Sequence, residues 1–122
     1  KSFLNNSKVI KLTKGNQKRD FVYIDDVVSA IKKILLYSLK QKKGYDVFEI
    51  GSGTSISIKK IVILIKKLCN NKITKLGFGN VPMRKNESLD VKLNLKKLSK
   101  LNWEPMYKLE ESLKKTINYY KR

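Results

Sequence analysis

The sequence predicts a mixed α/β fold in a single small domain that spans residues 1–122. Short segments rich in β-branched and aromatic residues alternate with longer segments whose apolar residues recur at helical spacing. Turn residues such as Gly and Asn separate these segments. The predicted order is β-β-α-β-α-β-α-α, and 122 residues are enough for one core of modest size.

The first part of the chain is predicted to form a hairpin followed by a helix. Strands are expected at residues 9–12 and 20–24, and a Gly-Asn turn at 14–17 would let them pair. A helix should begin at Asp25 or Asp26, whose carboxylate would cap free backbone N–H groups. One apolar face of this helix is predicted from residues at helical spacing: Val27, Ile31, Ile34, Leu35 and Leu39.

The middle of the chain is predicted to hold a strand, a glycine turn and a second helix. Lysines at 40–43 and then Gly44 should end the first helix, and residues 45–50 alternate as a strand does. A Gly-Ser-Gly turn at 51–55 follows, and Ser57 would cap the next helix. Strand, turn and helix suggest a dinucleotide-binding unit. The turn lacks the third glycine of Gly-x-Gly-x-x-Gly, so we interpret its glycines as required by a tight turn.

The last part of the chain is predicted to be a strand followed by two helices. The strand is expected at residues 73–78, with a loop after it. Asn94 would cap a short helix, which Asn102 would close in the left-handed conformation. The final helix is predicted over residues 109–120. Trp103, between these helices, is expected to pack in the core.

Composition excludes several classes of site. No histidine is present, which removes histidine acid/base chemistry and histidine metal sites. The one cysteine, Cys69, cannot form an internal disulfide or a cysteine-built zinc site, and we interpret it as a buried structural thiol. No run approaches the roughly 18 apolar residues that a membrane-spanning helix needs. We therefore expect a cytoplasmic protein without a membrane partner.

The net charge of +18 invites a nucleic-acid interpretation. Of the 28 basic residues, however, 25 are lysine, and they are spread over every predicted element. An A/T-rich genome over-supplies lysine, whereas base readout and bidentate phosphate contacts favour arginine. Nucleic acid is therefore not the expected partner. A small basic module that binds nucleic acid or another polyanion stays open as the alternative function.

Arginine is scarce in this chain, so its positions are informative. Arg19 lies at the start of a predicted strand, and Arg84 follows Pro82 in a predicted loop. A guanidinium can bind a phosphate through two parallel N–H groups and keeps its charge in any pocket. The two arginines could together bind a diphosphate, while the alternative for each is a surface ion pair.

Four motifs stand in a fixed order at residues 19–27, 45–53, 84–87 and 98–113. The first reads Arg-Asp-Phe-Val-Tyr-Ile-Asp-Asp-Val, and the third reads Arg-Lys-Asn-Glu. In residue type and spacing, the four together resemble the C-terminal half of the extended short-chain dehydrogenases/reductases, the NAD-dependent sugar-nucleotide epimerases and dehydratases. Asn86 stands where that family has glycine, and asparagine tolerates the positive φ. The resemblance implies the α/β substrate-binding portion of a Rossmann-type enzyme.

The resemblance also implies a ligand, a nucleotide-diphospho-sugar, and the residues that would bind it. Arg19 and Arg84 would contact the diphosphate, and Glu87, three residues after Arg84, would contact the ribose. Phe21 would form an aromatic wall of the pocket. Thr54 lies in the glycine turn, which borders the same pocket in the family.

The family's catalytic and cofactor motifs are not found in this sequence. The resemblance implies that NAD(P) is bound by the glycine loop of an N-terminal Rossmann domain, and that a Tyr-x-x-x-Lys pair performs the catalysis. Neither pattern occurs in residues 1–122. We therefore expect this chain by itself to be non-catalytic, with no cofactor or metal site of its own. Its expected partners are the nucleotide-sugar, the Rossmann domain and a second copy in a homodimer. An inert remnant with a fold and no partner is the third hypothesis.

Overall fold

Four strands and four helices are present in a computed structural model that describes residues 1–41 and 44–121, and the third strand lies at the end of the predicted glycine turn, not at residues 45–50. The strands are β1 (Val9–Leu12), β2 (Lys18–Asp20), β3 (Ser55–Ser57) and β4 (Lys75–Phe78). The helices are α1 (Ile24–Ser38), α2 (Ile58–Leu68), α3 (Lys96–Ser99) and α4 (Leu109–Lys121). The α/β class is therefore confirmed. The predicted lysine stop of the first helix falls partly on residues 42–43, which lie outside the described residues. No described helix is long and apolar enough to cross a membrane.

The strands of the described chain pair in two separate two-stranded sheets. β1 and β4 run parallel, with Val9 opposite Lys75. β2 and β3 run antiparallel, with Arg19 opposite Ile56. The hairpin predicted between the first two strands is therefore wrong. β2 is also shorter, and begins earlier, than the strand predicted at 20–24.

Backbone bonds of the segment between β1 and β2 explain why these strands do not pair. The Gly15 carbonyl accepts from Lys59 N at 2.9 Å, and the Gln17 carbonyl accepts from Ile58 N at 3.0 Å. These bonds join the segment to the start of α2 and direct it away from β1. Gly15 has a φ of 74°, and a Cβ there would lie 3.0 Å from Lys59 N, so this close approach requires glycine.

Residues 45–50 do not form the predicted strand. Phe48 and Ile50 pack against the core, but Tyr45 is 90% exposed and Val47 is 55% exposed. A strand is defined by backbone bonds to a neighbour, and none of the described residues offers this segment one. Residues 45–50 therefore have the alternating sequence of a strand but no neighbouring strand among the described residues to pair with.

One core cluster lies between α1, α3 and the chain that follows α3. Its buried members are Ala30, Leu98 and Trp103. Partly buried side chains pack against them: Ile34, Phe48, Ile50 and Leu101. Trp103 Nε1 donates to Ser29 Oγ at 2.7 Å, which satisfies the one polar atom of the indole. The core position predicted for Trp103 is confirmed, whereas Cys69 is only half-buried.

The cap of α1 predicted at Asp25 or Asp26 does not form. The helix begins at Ile24 with Tyr23 in the capping position, and no side chain bonds to its first N–H groups. Asp26 is instead 2% exposed, and its carboxylate accepts from Met106 N at 2.9 Å and Tyr107 N at 3.2 Å. A buried carboxylate needs such donors. The two bonds fix the loop before α4 to the first turn of α1.

Two adjacent rows of apolar residues run along α1. Ala30 and Ile34 face the core. The second row, which we call the outer α1 stripe, is more than half exposed at Ile24 (62%), Val28 (58%), Ile31 (53%), Leu35 (56%) and Leu39 (74%). The single predicted face is therefore divided, because Val27 and Ile34 are half-buried while its other members belong to the outer α1 stripe.

Polar side chains bind the ends of the other helices largely as predicted. Ser57 Oγ accepts from Lys60 N at 3.3 Å and caps α2. Asn102 has a φ of 53°, the left-handed conformation expected after α3. Asn94 Oδ1 accepts from Lys96 N at 3.2 Å, although the capping position itself is the residue after Asn94.

The basic residues are less evenly distributed in the fold than along the sequence. Residues 1–19 and 50–86 contain fourteen basic residues and no acidic residue. These two stretches supply β1, β4 and α2, and β1 is hydrogen-bonded to β4. Val9, Lys11 and Lys75 are exposed on this small sheet. These two stretches therefore carry +14 of the net charge of +18, and the remaining residues, with fourteen basic and ten acidic side chains, carry only +4.

Replacing Leu98 with alanine should lower the free energy of unfolding by about 2–5 kcal/mol. Leu98 is 1% exposed, so the change would leave a cavity beside Trp103. Urea unfolding should show a lower midpoint with an unchanged slope. Leu89 is 61% exposed, and Leu89→Ala, the matched control, should change stability by less than about 0.5 kcal/mol. Equal losses in the two variants would contradict this core.

Candidate functional site

Arg19 contacts the loop that precedes α3 through its guanidinium. Nη1 donates to Lys18 O at 2.7 Å and to Ser88 O at 2.9 Å, and Nη2 donates to Glu87 Oε1 at 3.1 Å. The Arg19 side chain is 30% exposed, and that of Glu87 is 22% exposed. The fold thus brings two predicted site residues, Arg19 and Glu87, into a partly buried ion pair.

Backbone and hydroxyl bonds align the same loop with the β2–β3 sheet. Lys18 N donates to Leu89 O at 2.7 Å. Ser55 Oγ, on the neighbouring strand, donates to Val91 O at 2.9 Å. The path of the loop is therefore fixed on both strands of this sheet, and the Arg19–Glu87 contact is one part of that attachment.

Arg84 and Glu87 stand at the two ends of one tight turn in this loop. Glu87 N donates to Arg84 O at 3.4 Å, and Asn86 has a φ of 62°. Asparagine therefore takes the left-handed conformation at the position where the resembled family has glycine. The Arg84 side chain is exposed and bonds to no other described residue. Among the described residues, Arg84 therefore shares no hydrogen-bond partner with the Arg19 guanidinium.

Asp20 binds the glycine turn at residues 51–53. Its Oδ1 accepts from Ser52 N at 2.7 Å, and its Oδ2 accepts from Gly53 N at 2.8 Å. Successive N–H groups of a turn are also what a dinucleotide phosphate would use. Because the Asp20 carboxylate already accepts from both groups, this turn does not fit an NAD phosphate. Among the described residues, no three metal-ligating side chains lie close enough to bind a metal ion.

Phe21 and Thr54 line one small cavity just beyond β2. The cavity has a volume of about 70 Å³ and is lined by Phe21, Ser52, Thr54, Ile56 and Leu109. Ile56 is the strand partner of Arg19, which places the cavity next to the Arg19 ion pair. Ligand pockets usually measure roughly 300–1,000 Å³, so this cavity is one wall of a site and not a complete pocket.

Sequence reasoning missed Asp20 and Ser52 as members of this region. Asp20 stands inside the Arg-Asp-Phe motif, and an acidic residue within a strand was the available signal. Its partners are 32 and 33 residues away, so they could be identified only from the pairing of β2 with β3.

A second, larger cavity of about 230 Å³ lies at the end of α1, and no predicted site residue lines it. Asp46 there accepts from Lys97 Nζ at 2.7 Å and from Tyr37 Oη at 2.9 Å. The hydrogen bond from Lys97, followed by that from Tyr37, lowers the pKa of Asp46. The hydrogen bond to Asp46 raises the pKa of the Tyr37 hydroxyl.

Lys97→Ala should raise the pKa of Asp46 toward the ordinary aspartate value of about 3.9, because Lys97 is the main cause of the lowering. Carbon-detected NMR titration of the carboxyl group measures this pKa. Because the pKa is lowered in the folded state, the contacts of Asp46 stabilise the fold above the ordinary value, and this contribution is lost as pH falls through the lowered pKa. Lys96→Ala, on the same helix, should leave the pKa of Asp46 unchanged. An unaltered pKa in Lys97→Ala would contradict the assignment.

Comparisons with known proteins agree with the resemblance read from the four motifs. A model of the NAD dependent epimerase/dehydratase family matches residues 1–51. The CDP-abequose synthase of Salmonella muenchen is 38% identical over 115 residues, which are 94% of this chain and 38% of the synthase. The structure of UDP-glucose 4-epimerase from Thermotoga maritima with UDP-glucose matches at a TM-score of 0.81 and 30% identity. The match covers 98% of this chain and 37% of that epimerase.

A solved relative in complex with NAD has the same fold over this region. The dTDP-glucose 4,6-dehydratase of Bacillus anthracis matches at a TM-score of 0.77 and 23% identity, over 98% of this chain and 37% of the dehydratase. The chain therefore spans a little more than a third of the length of these relatives. It belongs to the NAD-dependent epimerase/dehydratase family, within the extended short-chain dehydrogenases/reductases.

Proposed function

We propose that this chain is the nucleotide-sugar-binding part of an epimerase or dehydratase that acts on nucleotide-diphospho-sugars. The match of 98% of the chain to an epimerase solved with UDP-glucose, at a TM-score of 0.81, carries the proposal. Relatives named for CDP-, UDP- and dTDP-sugars all match most of the chain. The part that these ligands share is the diphosphate, so the proposed recognition begins with the arginines.

Arg19 retains hydrogen-bond donors for a phosphate while it binds the loop. A guanidinium has five N–H donors. Three of those on Arg19 bind Lys18 O, Ser88 O and Glu87, which leaves the Nε–H and one Nη2–H. Since charge-assisted bonds to phosphate are among the strongest in proteins, these two donors suit a diphosphate oxygen. Arg19 would therefore act both as an anchor for the loop and as a ligand for the phosphate.

The turn at residues 84–87 would complete the contacts to the nucleotide. Arg84 is exposed and can move to a phosphate without breaking a bond to another described residue. Glu87 uses Oε1 for Arg19, so Oε2 is available to accept from a ribose hydroxyl. Phe21 and Thr54 would form the wall beside them.

This chain would orient the nucleotide-sugar for chemistry that other residues perform. The Tyr-x-x-x-Lys pattern does not occur in its sequence, so we propose that the segment is itself non-catalytic. NAD, bound by a Rossmann domain, would supply the hydride acceptor. Fixing the nucleotide end of the substrate reduces the entropy that must be lost to bring the sugar into reach. Homodimer formation and a cytoplasmic location stay predictions.

The outer α1 stripe is the surface on which we expect the Rossmann domain to dock. Five apolar residues in one row, each more than half exposed, are unusual on the surface of an isolated domain. Residues 45–50 pack on the other side of α1 through Phe48, with Val47 exposed. A Rossmann sheet consists of parallel strands with helices on its faces. One such sheet would cover the outer α1 stripe.

Replacing Val28 and Leu35 together with glutamate should reduce binding of a hydrophobic dye such as ANS and reduce self-association. Both side chains are more than half exposed, so the unfolding free energy should change by less than about 1 kcal/mol. Fluorescence titration, sedimentation velocity and urea unfolding measure the three quantities. Ala30→Glu is the contrasting control, since Ala30 is fully buried and the change should unfold the chain. Unaltered dye binding in the double variant would rule out the outer α1 stripe as the accessible apolar surface.

Calorimetric titration of the chain with CDP-, UDP-, dTDP- and GDP-sugars tests the proposed ligand. We expect saturable binding that distinguishes among the four nucleotides. Arg84→Ala should weaken the preferred one about tenfold or more, because it removes charge-assisted bonds to the diphosphate. Lys85→Ala is the matched control, since it removes the same charge from the neighbouring position.

Two outcomes of this titration would contradict the proposal. One is the absence of binding to all four nucleotide-sugars. The other is binding that ignores the base, falls steeply with salt and is equally weak in both variants. That second behaviour is expected of a polyanion-binding module, the alternative that the charge of +18 raises.

A further inference from the structure

We infer that Asp20 is a positioning residue for the nucleotide-diphospho-sugar, acting through the turn at residues 51–54. The inference rests on the proposed function and extends it to a side chain that does not itself touch the ligand. Asp20 lies between Arg19, the proposed phosphate ligand, and Phe21, the proposed wall. Within residues 1–41 and 44–121, its carboxylate accepts hydrogen bonds only from backbone N–H groups of the turn.

The two bonds from the turn are short and go to separate oxygens of Asp20. Ser52 N donates to Oδ1 at 2.7 Å and Gly53 N donates to Oδ2 at 2.8 Å. A carboxylate that accepts from two adjacent amides fixes both the position and the tilt of that backbone segment. Thr54 follows directly, and its side chain lines the small cavity with Phe21.

Gly51 shows how closely the turn approaches Asp20. A Cβ at Gly51 would lie 2.8 Å from Asp20 Oδ2 and 2.4 Å from Leu93 Cδ1. Only glycine allows the backbone to come this near to the carboxylate and to the loop beyond residue 87. The turn is therefore enclosed between Asp20 on β2 and that loop.

Neighbouring residues of β2 thus bind the two loops that border the proposed site. Arg19 binds the loop at residues 87–88, and Asp20 binds the turn at residues 51–54. The separation of the two loops is consequently set by one peptide unit of a strand that is itself paired with β3. Loss of the Asp20 carboxylate would free one loop while leaving the arginines in place.

This geometry predicts a specific division of effects. The diphosphate would be bound by Arg19 and Arg84, whose side chains form no hydrogen bond with the turn among the described residues. The remainder of the nucleotide-sugar would depend on a correctly placed turn. Asp20→Ala should therefore weaken the preferred nucleotide-sugar about tenfold and leave the affinity for inorganic pyrophosphate unchanged. A general loss of structure would lower both affinities together.

The experiment compares wild type, Asp20→Ala, Asp20→Asn and Asp90→Asn by calorimetry with the preferred nucleotide-sugar and with pyrophosphate. Asp90 pairs with Lys18 at 3.9 Å, so Asp90→Asn removes one negative charge near the same strand without touching the turn. Asparagine at position 20 keeps one acceptor oxygen and should give an intermediate loss. Amide hydrogen exchange should speed up at Ser52 and Gly53 in Asp20→Ala and remain slow in Asp90→Asn.

Each result has a defined meaning. Equal weakening of nucleotide-sugar and pyrophosphate, or an unchanged nucleotide-sugar affinity with fast exchange at Ser52 and Gly53, would overturn the inference and leave the proposed function intact. A wild-type chain that binds no nucleotide-sugar would overturn the proposed function and this inference together. Should Asp20→Ala fail to fold, Asp20→Asn supplies the same comparison, because it preserves the shape of the side chain.

Discussion

The charged side chains of a three-residue strand determine where two long loops of this fold lie. Arg19 and Asp20 of β2 each bind backbone that is distant in sequence, one at residues 87–88 and the other at residues 52–53. Charge-assisted bonds are roughly twice as strong as neutral ones, and here they are partly shielded from water. Segments with little regular structure of their own thereby acquire fixed positions. The candidate site consists almost entirely of these segments.

Asp26, like Asp20, accepts hydrogen bonds from backbone N–H groups of a loop that is distant in sequence. Its buried carboxylate accepts from Met106 N and Tyr107 N, and so joins the start of α1 to the loop before α4. Trp103, whose indole donates to Ser29 on the next turn of α1, packs beneath that junction. Only ten residues of this chain are acidic. Several of these acidic residues accept hydrogen bonds from backbone amides of loops. In a sequence this basic, a half-buried aspartate therefore indicates a loop whose position is fixed.

The sequence was sufficient to predict the three long helices and insufficient to predict all the strands and their pairing. Helices of eleven to fifteen residues contain enough turns for an apolar period to be recognised, and α1, α2 and α4 lie where predicted. Strands of three or four residues carry no comparable information about partner or register. The parallel partner of β1 is β4, more than sixty residues away. Residues 45–50 have the pattern of a strand, but a strand also requires a neighbour.

The candidate site could likewise be predicted only in part: the residue types were predictable from the sequence, but the contacts between them were not. The motifs predicted Arg19, Phe21 and Glu87 as site residues, because phosphate, aromatic and hydroxyl contacts each need a particular type of side chain. The motifs did not show which of these residues are in contact, because Arg19 and Glu87 are 68 residues apart in the sequence. The role of Asp20 was hidden for the same reason. Local chemistry can be read from a motif, while contacts between loops depend on how the strands beneath them pair.

The small parallel sheet gives the lysine-rich composition a physical consequence. In the described chain, β1 and β4 pair only with each other, so each has an outer edge whose backbone groups could join a strand of another molecule. Lys8 and Lys11 lie in or next to β1, and Lys72 and Lys75 lie in or near β4. A second copy that approached either edge would bring its own lysines against these, and like charges on opposed strands repel. The positive charge should therefore oppose edge-to-edge association of two copies through this sheet.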